Sequence, residues 1–237
     1  MRVLVLDNTL DRDSWGSADL VRAIGSSGSV ITTVRRSPHE DLPALKSLGI
    51  YDRIVMSGSR TAATEESPWI SKLDDLIRYV LDKGIPLLGV CYGHQAIARV
   101  LGSDNYPKNV RRSATPEIGW TEIIQLPQAG NATNLLDGLP QRFHSFSVHY
   151  DEVCEVPRGA TLLARSERCA IQAFSVDQKP VFGVQFHPER GCEAGERTLA
   201  LSAKKKLDFS LLNPGKGPHL YSAQVAKVIF ENFLRGK

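Results

Sequence analysis

Cys91 has the sequence setting of a catalytic nucleophile. It follows a short apolar run, Pro86 to Val90, and stands between Gly89 and Gly93. Small residues two positions before and after a reactive side chain let a strand turn sharply into a helix. At the start of that helix, unpaired N–H groups and the helix dipole favour a thiolate. The pattern predicts a nucleophile elbow, although a buried structural cysteine on a tight turn would show the same spacing.

A cysteine nucleophile needs a general base and a group that orients the base, and the segment around His187 supplies both. His187 ends a second apolar, strand-like run, and Pro188 stops that strand so that Glu189 can fold back toward the imidazole. A histidine in such a place is more often structural when it stands alone. Together with the elbow, it predicts a Cys91, His187 and Glu189 triad.

Two segments carry a resemblance to a known family: residues 89–95 (GVCYGHQ) and residues 183–189 (GVQFHPE). Both resemble the class I glutamine amidotransferase domain, and the nearest likeness is to the glutaminase part of GMP synthase. The resemblance covers roughly residues 1–190 and a closing helix. It implies a flavodoxin-like α/β fold and hydrolysis of the glutamine side-chain amide through a γ-glutamyl thioester on Cys91.

The same resemblance implies further site residues. The N–H groups of Tyr92 and of the Gly58–Ser59 loop would hold the oxyanion, Gln95 would contact the bound glutamine, and Asp151 would bind its α-amino group. Structural roles stay open for these positions: an ordinary turn for the loop, a helix cap for Gln95, and a loop contact for Asp151.

Two departures from the family pattern bear on these roles. Ser59 stands where the family has a second glycine, and a positive φ there would strain the loop and leave the oxyanion hole unformed. Beside Asp151, Val148 and Tyr150 replace the serine and glycine of the Ser-His-Gly-Asp motif. The preferred substrate is therefore either free glutamine or another γ-glutamyl compound.

The elements that must position these residues alternate between strand and helix. Strands are predicted at 2–6, 30–34, 53–56 and just before Cys91, with helices at 18–24, 68–81 and 95–101 and a short helical connection at 42–48. This alternation predicts a mostly parallel sheet covered on both faces, with ligands at the carboxyl ends of its strands. Further strands are predicted at 119–126, 143–148, 161–164 and 170–174, and a terminal helix at 225–233.

Length and composition predict one domain over residues 1–237. An insertion separates Glu189 from the last helix, at about residues 190–220. A helix around residues 200–207 is predicted to carry Lys204, Lys205 and Lys206. The insertion is interpreted as a lid or a partner-docking element, with a plain surface excursion as the alternative.

Charge and cysteine content narrow the function classes. The net charge is +3, and the basic residues occur in scattered clusters without interleaved aromatic residues, so we expect no nucleic-acid partner. The four cysteines show no Cys-x-x-Cys spacing, and no apolar run is long enough for a membrane span. We expect a cytoplasmic protein with no metal, no other cofactor and no membrane association.

Nothing in the sequence would use the ammonia, since it contains no nucleotide-binding glycine loop. A separate ammonia-using synthase is therefore the expected partner. A stand-alone γ-glutamyl peptidase is the first alternative. A non-catalytic regulatory role is the second, and the complete set of Cys91, His187 and Glu189 argues against it.

Overall fold

The computed structural model describes residues 1–12, 16–102, 109–127 and 135–236. Within these ranges the strands are β1 (Arg2–Asp7), β2 (Ile31–Arg36), β3 (Arg53–Met56), β4 (Leu87–Val90), β5 (Val110–Gln125), β6 (Arg142–Val153), β7 (Ala160–Arg165), β8 (Ala173–Val176) and β9 (Val181–Val184). They form one nine-stranded sheet in the order β2-β1-β3-β4-β9-β8-β7-β5-β6.

The first half of this sheet is parallel. Strand β1 pairs with β2 and β3, β3 with β4, and β4 with β9, all in parallel. The four residues of β4 and the four of β9 are all buried, as expected for strands covered on both faces. The predicted flavodoxin-like architecture is confirmed.

The second half is antiparallel, and it extends the sheet from β9 through β8, β7, β5 and β6. The two longest strands, β5 and β6, pair along almost their full length and are interrupted by a bulge between Arg112 and Glu117. A bulge bends the strand and redirects side chains. It lies in β5 opposite the part of β6 that contains Asp151.

The helices of the described ranges are α1 (Ala18–Ser26), α2 (Pro68–Lys83), α3 (Tyr92–Leu101), α4 (Cys192–Ala203), α5 (Gly217–Leu220) and α6 (Ala223–Arg235), with a 3-10 helix at Leu45–Ile50. Helices α1 and α6 cover one face of the parallel half of the sheet, and α2 and α3 cover the other. Because strand side chains alternate, Val3 and Val5 join the core under α1 and α6, whereas Leu4 and Leu6 join the core under α2 and α3. No helix in the described ranges is both long and apolar enough to cross a bilayer.

Several predicted boundaries differ from the structure. Helix α1 continues past Gly25 to Ser26, and β8 starts at Ala173 rather than at residue 170. Strand β5 begins at Val110 rather than at residue 119, because β6 pairs with it from Val153 onward. Such pairing cannot be read from a local window.

The helix of the insertion was predicted in the wrong place. It spans Cys192–Ala203, and Lys204 to Lys206 follow it rather than lie on it. Packing fixes the helix earlier in the chain. A Cβ on Gly195 would lie 2.7 Å from Cζ2 of Trp120, and Leu199 is buried against the same cluster. After Ala203 the three lysines are exposed, so no buried contact supports a further turn.

Candidate active site

The predicted elbow is present at Cys91, which has φ 52° and ψ −103°. Both flanking glycines are required by close backbone packing. A Cβ on Gly89 would lie 2.4 Å from the carbonyl carbon of Gly93, and a Cβ on Gly93 would lie 2.8 Å from Cβ of Met56. The strand β4 therefore turns into α3 within a space that admits no side chain on either side of the nucleophile.

Strand pairing brings Cys91 and His187 to neighbouring strand ends. Val90 of β4 lies opposite Val184 of β9, and the Cys91 N–H donates to the Val184 carbonyl oxygen at 2.8 Å. His187 follows three residues after Val184, and its N–H donates to the carbonyl oxygen of Phe146 in β6 at 2.7 Å. The pairing of the strands thus places Cys91 and His187 at one edge of the sheet.

The side chains of His187 and Glu189 form a buried pair. Nδ1 of His187 lies 2.7 Å from Oε1 of Glu189, and the two side chains are 8% and 4% exposed. The Nε2 atom is buried and has no hydrogen bond of standard geometry within the described residues. Burial acts to lower the pKa of His187, but Glu189 and the nearby Cys91 outweigh it and raise the pKa to about 10. The neighbouring carboxylate thus favours the protonated imidazole.

Gly58 lies where the side chains of Cys91 and His187 converge. A Cβ there would lie 3.0 Å from Cε1 of His187 and 3.7 Å from Sγ of Cys91. A side chain at this position would therefore crowd both groups. The structure thus places the predicted Gly58 directly beside Cys91 and His187.

The loop at Gly58 and Ser59 is well supported. Nδ2 of Asn8 donates to the Ser57 carbonyl oxygen at 2.9 Å, and Oγ of Ser59 hydrogen-bonds Oγ1 of Thr61 at 2.9 Å. Ser59 is not among the described residues with positive φ. The condition for strain at Ser59, a positive φ, is therefore not met.

Tyr92 follows Cys91 as the first residue of α3, so its N–H lies at the helix N-terminus beside Cys91. Its ring packs under Arg99, whose guanidinium carbon lies 5.7 Å from the ring centroid. Burial raises the pKa of the Tyr92 hydroxyl to about 12, with Arg99 opposing that effect. Arg99 in turn forms a buried ion pair with Asp74 of α2 at 2.5 Å. These contacts fix the first turn of α3 and with it the direction of the Tyr92 N–H.

Gln95 and Asp151 lie together, one turn of helix from Cys91. Nε2 of Gln95 donates to the Asp151 carbonyl oxygen at 2.8 Å and to Oε1 of Gln185 at 3.0 Å. The Asp151 carboxylate accepts the Ala63 N–H at 2.8 Å. Gln95 is 3% exposed, and its amide nitrogen is used to hold the backbone of β6. The structure brings both predicted residues to the site and shows Gln95 acting on Asp151.

A buried polar cluster behind Asp151 has no counterpart in the sequence analysis. Glu117 accepts hydrogen bonds from Ser166 and Gln172, each at 2.6 Å, and lies 3.0 Å from Nε2 of His149. Nδ1 of His149 lies 3.0 Å from the Asp151 carbonyl oxygen. Glu117 is far from each of these partners along the chain, so no local motif could have indicated it. The one sequence signal for this cluster was His149, which is the histidine of the Ser-His-Gly-Asp motif.

The insertion adds an apolar layer against β5 and β6. Its members pack around Ile118, Trp120, Phe146 and Leu199, and include Phe209, Leu211, Leu220 and Tyr221. Oε1 of Glu196 accepts from Nε1 of Trp120 and from the Gly217 N–H, both at 2.8 Å. The insertion is thus a packed element, next to the strand that contributes Asp151.

Fold and site together define an α/β protein that presents a cysteine at a strand-to-helix elbow. The chain belongs to the class I glutamine amidotransferase family: the family model described as "Glutamine amidotransferase class-I" matches residues 12–203.

The curated relatives include GMP synthases. The chain is 38% identical over 170 residues to the glutamine-hydrolyzing GMP synthase of Aeropyrum pernix, a match that covers 65% of this chain and 31% of that protein. It therefore spans about a third of that relative's length. It is 35% identical over 172 residues to a protein of Saccharolobus solfataricus that is named as one subunit of glutamine-hydrolyzing GMP synthase, covering 70% of this chain and 84% of that one.

Solved structures agree on the fold. A glutamine amidotransferase of Thermotoga maritima superimposes with a TM-score of 0.71 at 26% identity, covering 100% of this chain and 95% of that one. A glutamine amidotransferase of Methylobacillus flagellatus gives a TM-score of 0.78 at 21% identity, with 99% and 94% covered. At that level of identity the second likeness speaks for the fold alone.

Proposed function

We propose that this chain hydrolyses the side-chain amide of glutamine through Cys91 and supplies the ammonia to a separate synthase partner. The observation that carries the proposal is the convergence of Cys91 and the His187–Glu189 pair on Gly58. Membership of the amidotransferase family supports the reaction. Relatives whose names denote one subunit of GMP synthase support the division of labour, because such a name implies that another chain completes the enzyme.

In the first step, the Cys91 thiolate attacks the amide carbon of glutamine, and the carbonyl oxygen becomes an oxyanion. The N–H groups of Tyr92 and of the Gly58–Ser59 loop donate to that oxyanion. Nε2 of His187 then gives its proton to the amide nitrogen, the C–N bond breaks, and ammonia leaves. A γ-glutamyl thioester on Cys91 remains.

In the second step, water attacks the thioester and His187 takes its proton. The second oxyanion collapses, the C–S bond breaks, and glutamate leaves while Cys91 returns to the thiolate. Throughout, Glu189 accepts the Nδ1–H of His187, which keeps Nε2 directed at the reacting atoms. Gln95 and Asp151 hold the substrate's α-amino end, with Asp151 as the contact and Gln95 as its support.

A γ-glutamyl peptidase is the second candidate function, and it would need no partner. Tyr150 replaces the glycine of the family motif next to Asp151, and it packs against Phe209 of the insertion with ring centroids 5.8 Å apart. The substrate end of the site therefore has a wall that the family motif does not require. Such a wall favours a substrate other than free glutamine.

The experiment that tests the proposal measures glutamate release by the purified protein, from glutamine and from a γ-glutamyl dipeptide side by side. We expect Cys91→Ala to abolish release with the fold intact, and Cys154→Ala, which removes a different cysteine side chain, to retain it. Preference for glutamine supports an ammonia donor, and preference for the dipeptide supports the peptidase. Equal release by wild type and Cys91→Ala would contradict both.

A further inference from the structure

The insertion reaches the substrate end of the site through Phe209. This residue lies in the segment after α4 and packs edge-on against the Tyr150 ring, at 5.8 Å and 80°. The residues that follow Phe209 are fixed to the sheet. Nη1 of Arg168 donates to the Ser210 carbonyl oxygen at 3.0 Å, and the Leu212 N–H donates to the Ile118 carbonyl oxygen at 2.8 Å. The segment that contains Phe209 is therefore anchored to the sheet, and Phe209 can fix the position of the Tyr150 ring.

Tyr150 in turn supports Arg112. The guanidinium carbon of Arg112 lies 4.5 Å from the centroid of the Tyr150 ring, a distance at which a cation is attracted to the aromatic face. Nη1 of Arg112 lies 3.4 Å from Oδ1 of Asp151, a long single contact. The Arg112 side chain is 66% exposed, so its remaining donors are open to solvent.

This arrangement sets a carboxylate and a guanidinium side by side. Asp151 is buried and has a fixed direction, because its other oxygen accepts the Ala63 N–H. Every L-γ-glutamyl compound with a free α-carbon end has an ammonium and a carboxylate on one carbon atom. A carboxylate beside a guanidinium is complementary in charge and spacing to that pair, and guanidinium binds carboxylate through two parallel hydrogen bonds.

We propose that Arg112 binds the α-carboxylate of the γ-glutamyl substrate while Asp151 binds its α-amino group, and that the insertion sets the position of Arg112 through Phe209 and Tyr150. The inference rests on the proposed function, since it names contacts of that same site. Through Phe209 and Tyr150, the insertion becomes part of the substrate site. The ligand class is an L-γ-glutamyl compound with both α-groups free, whatever the leaving amine.

The test compares L-glutamine with L-glutamine α-amide, which keeps the γ-amide and the α-amino group but lacks the α-carboxylate. Ammonia release gives kcat/KM for each. We expect Arg112→Gln to lower kcat/KM for glutamine by about 10- to 100-fold, mainly through KM, because a hydrogen-bonded charged partner is lost. We expect little change for the α-amide, which makes no carboxylate contact.

Arg111→Gln is the matched control. Arg111 is the preceding residue of β5, it is 64% exposed, and it pairs with Glu152 as Arg112 pairs with Asp151. We expect it to leave the ratio of the two kcat/KM values unchanged. An Arg112→Gln variant that keeps the wild-type ratio, or that loses both substrates equally, would overturn the assignment.

The contribution of the insertion is tested with Phe209→Ala. We expect a smaller loss than for Arg112→Gln, again confined to glutamine, because Tyr150 and Arg112 stay in place but are less ordered. Leu201→Ala is its control, since Leu201 lies on α4 of the same insertion and is 62% exposed. If Phe209→Ala had the same kcat/KM for glutamine as wild type, the insertion would not be part of the substrate site.

A binding readout separates this inference from the proposed function. Protection of Cys91 from iodoacetamide by glutamine and by its α-amide requires no turnover. If wild type hydrolyses neither compound, the proposed function fails, whereas selective protection by glutamine that Arg112→Gln abolishes still supports the carboxylate site. Equal protection by the two compounds would reject it.

Discussion

The backbone of Cys91 has a conformation that few residues other than glycine adopt. A φ of 52° with a ψ of −103° lies outside the well-populated regions, and such positions cost about 1–3 kcal/mol. Two backbone hydrogen bonds oppose that cost: the Cys91 N–H to Val184, and the Gln95 N–H to the Cys91 carbonyl oxygen. The strained residue is therefore fixed from both sides, and the sulfur has one defined direction.

Glu189 controls the proton on His187, and its removal has a predictable effect on pH dependence. In Glu189→Gln the carboxylate that raises the pKa of His187 is gone, and the lowering effect of burial is less opposed. His187 then loses its proton at lower pH. We expect the alkaline limb of kcat/KM, near pH 10 in wild type, to move down by about 1–3 pH units, with kcat reduced. Measured pH–rate profiles of both proteins test this.

Glu193→Gln is the control for that profile, because Glu193 pairs with an arginine on its own helix and is 87% exposed. We expect its alkaline limb to coincide with that of wild type. An unshifted limb in Glu189→Gln would show that the carboxylate does not govern the imidazole.

At this scale, motif spacing predicted Cys91, His187 and Glu189 because each stands in a short run with its own local signal. The structure places them together, while their catalytic roles stay a prediction. Glu117 and Arg112 carry no such signal. Both residues contact β6, and the bulge in β5 that separates them can be recognised only when the pairing of β5 with β6 is known.

Among the elements, α3 packs closely against the end of β3. It starts directly after Cys91, and Gly93 in its first turn lies against Met56 at the end of β3. This close approach lets the helix N-terminus stand over the strand ends. The distance between α3 and β3 is therefore set by the absence of a side chain at Gly93.

A Gly93→Ala substitution tests this packing. The new Cβ would lie 2.8 Å from Cβ and 2.9 Å from the carbonyl oxygen of Met56, so the helix must shift. We expect the free energy of unfolding to fall by about 1–3 kcal/mol, as for other overpacked positions, and the reactivity of Cys91 toward iodoacetamide to fall with it. Denaturant titration and alkylation rates provide the two measurements.

Gly25→Ala is the opposite case on another helix. A Cβ at Gly25 in α1 would meet nothing within 4 Å, so we expect a gain of about 0.5–1 kcal/mol from helix propensity alone. If both substitutions destabilised the protein equally, close packing would not be the reason for glycine at position 93.

Helix α2 shows what sequence predicts well at this scale. Its start at Pro68 after Ser67 and its stop at Gly84, which has φ 64°, match the capping signals and the apolar stripe. Helix α4 shows where prediction from sequence fails, because its position is fixed by Trp120 and Phe146 of distant strands. Local periodicity fails wherever a remote contact chooses the register.

At the level of the whole molecule, the insertion is attached chiefly to the antiparallel half of the sheet. Glu196 connects parts of the insertion to each other and to β5, since its two carboxylate oxygens accept hydrogen bonds from Trp120, Gly215 and Gly217. The side chain thus joins α4, the segment before α5, and β5. Removing it should loosen the insertion without opening the sheet.

Glu196→Ala tests that division. We expect faster amide hydrogen exchange at residues 205–221, above all at Gly215 and Gly217, whose N–H groups lose their acceptor. Exchange in β4 and β9 should stay slow. Glu193→Ala, on the same helix but exposed, should leave the whole pattern unchanged. Acceleration spread evenly over the molecule would mean that the insertion and the sheet unfold together.

The place of β9 has a consequence for how the enzyme is made. It is a central strand, between β4 and β8, yet it is the last strand of the described chain to leave the ribosome. Until it emerges, the sheet of the nascent chain is divided, and two unpaired edges are open to other chains. The same event that joins the halves also delivers His187 to a cysteine synthesised far earlier. Completion of the sheet and placement of His187 near Cys91 are therefore a single step in the folding of the nascent chain.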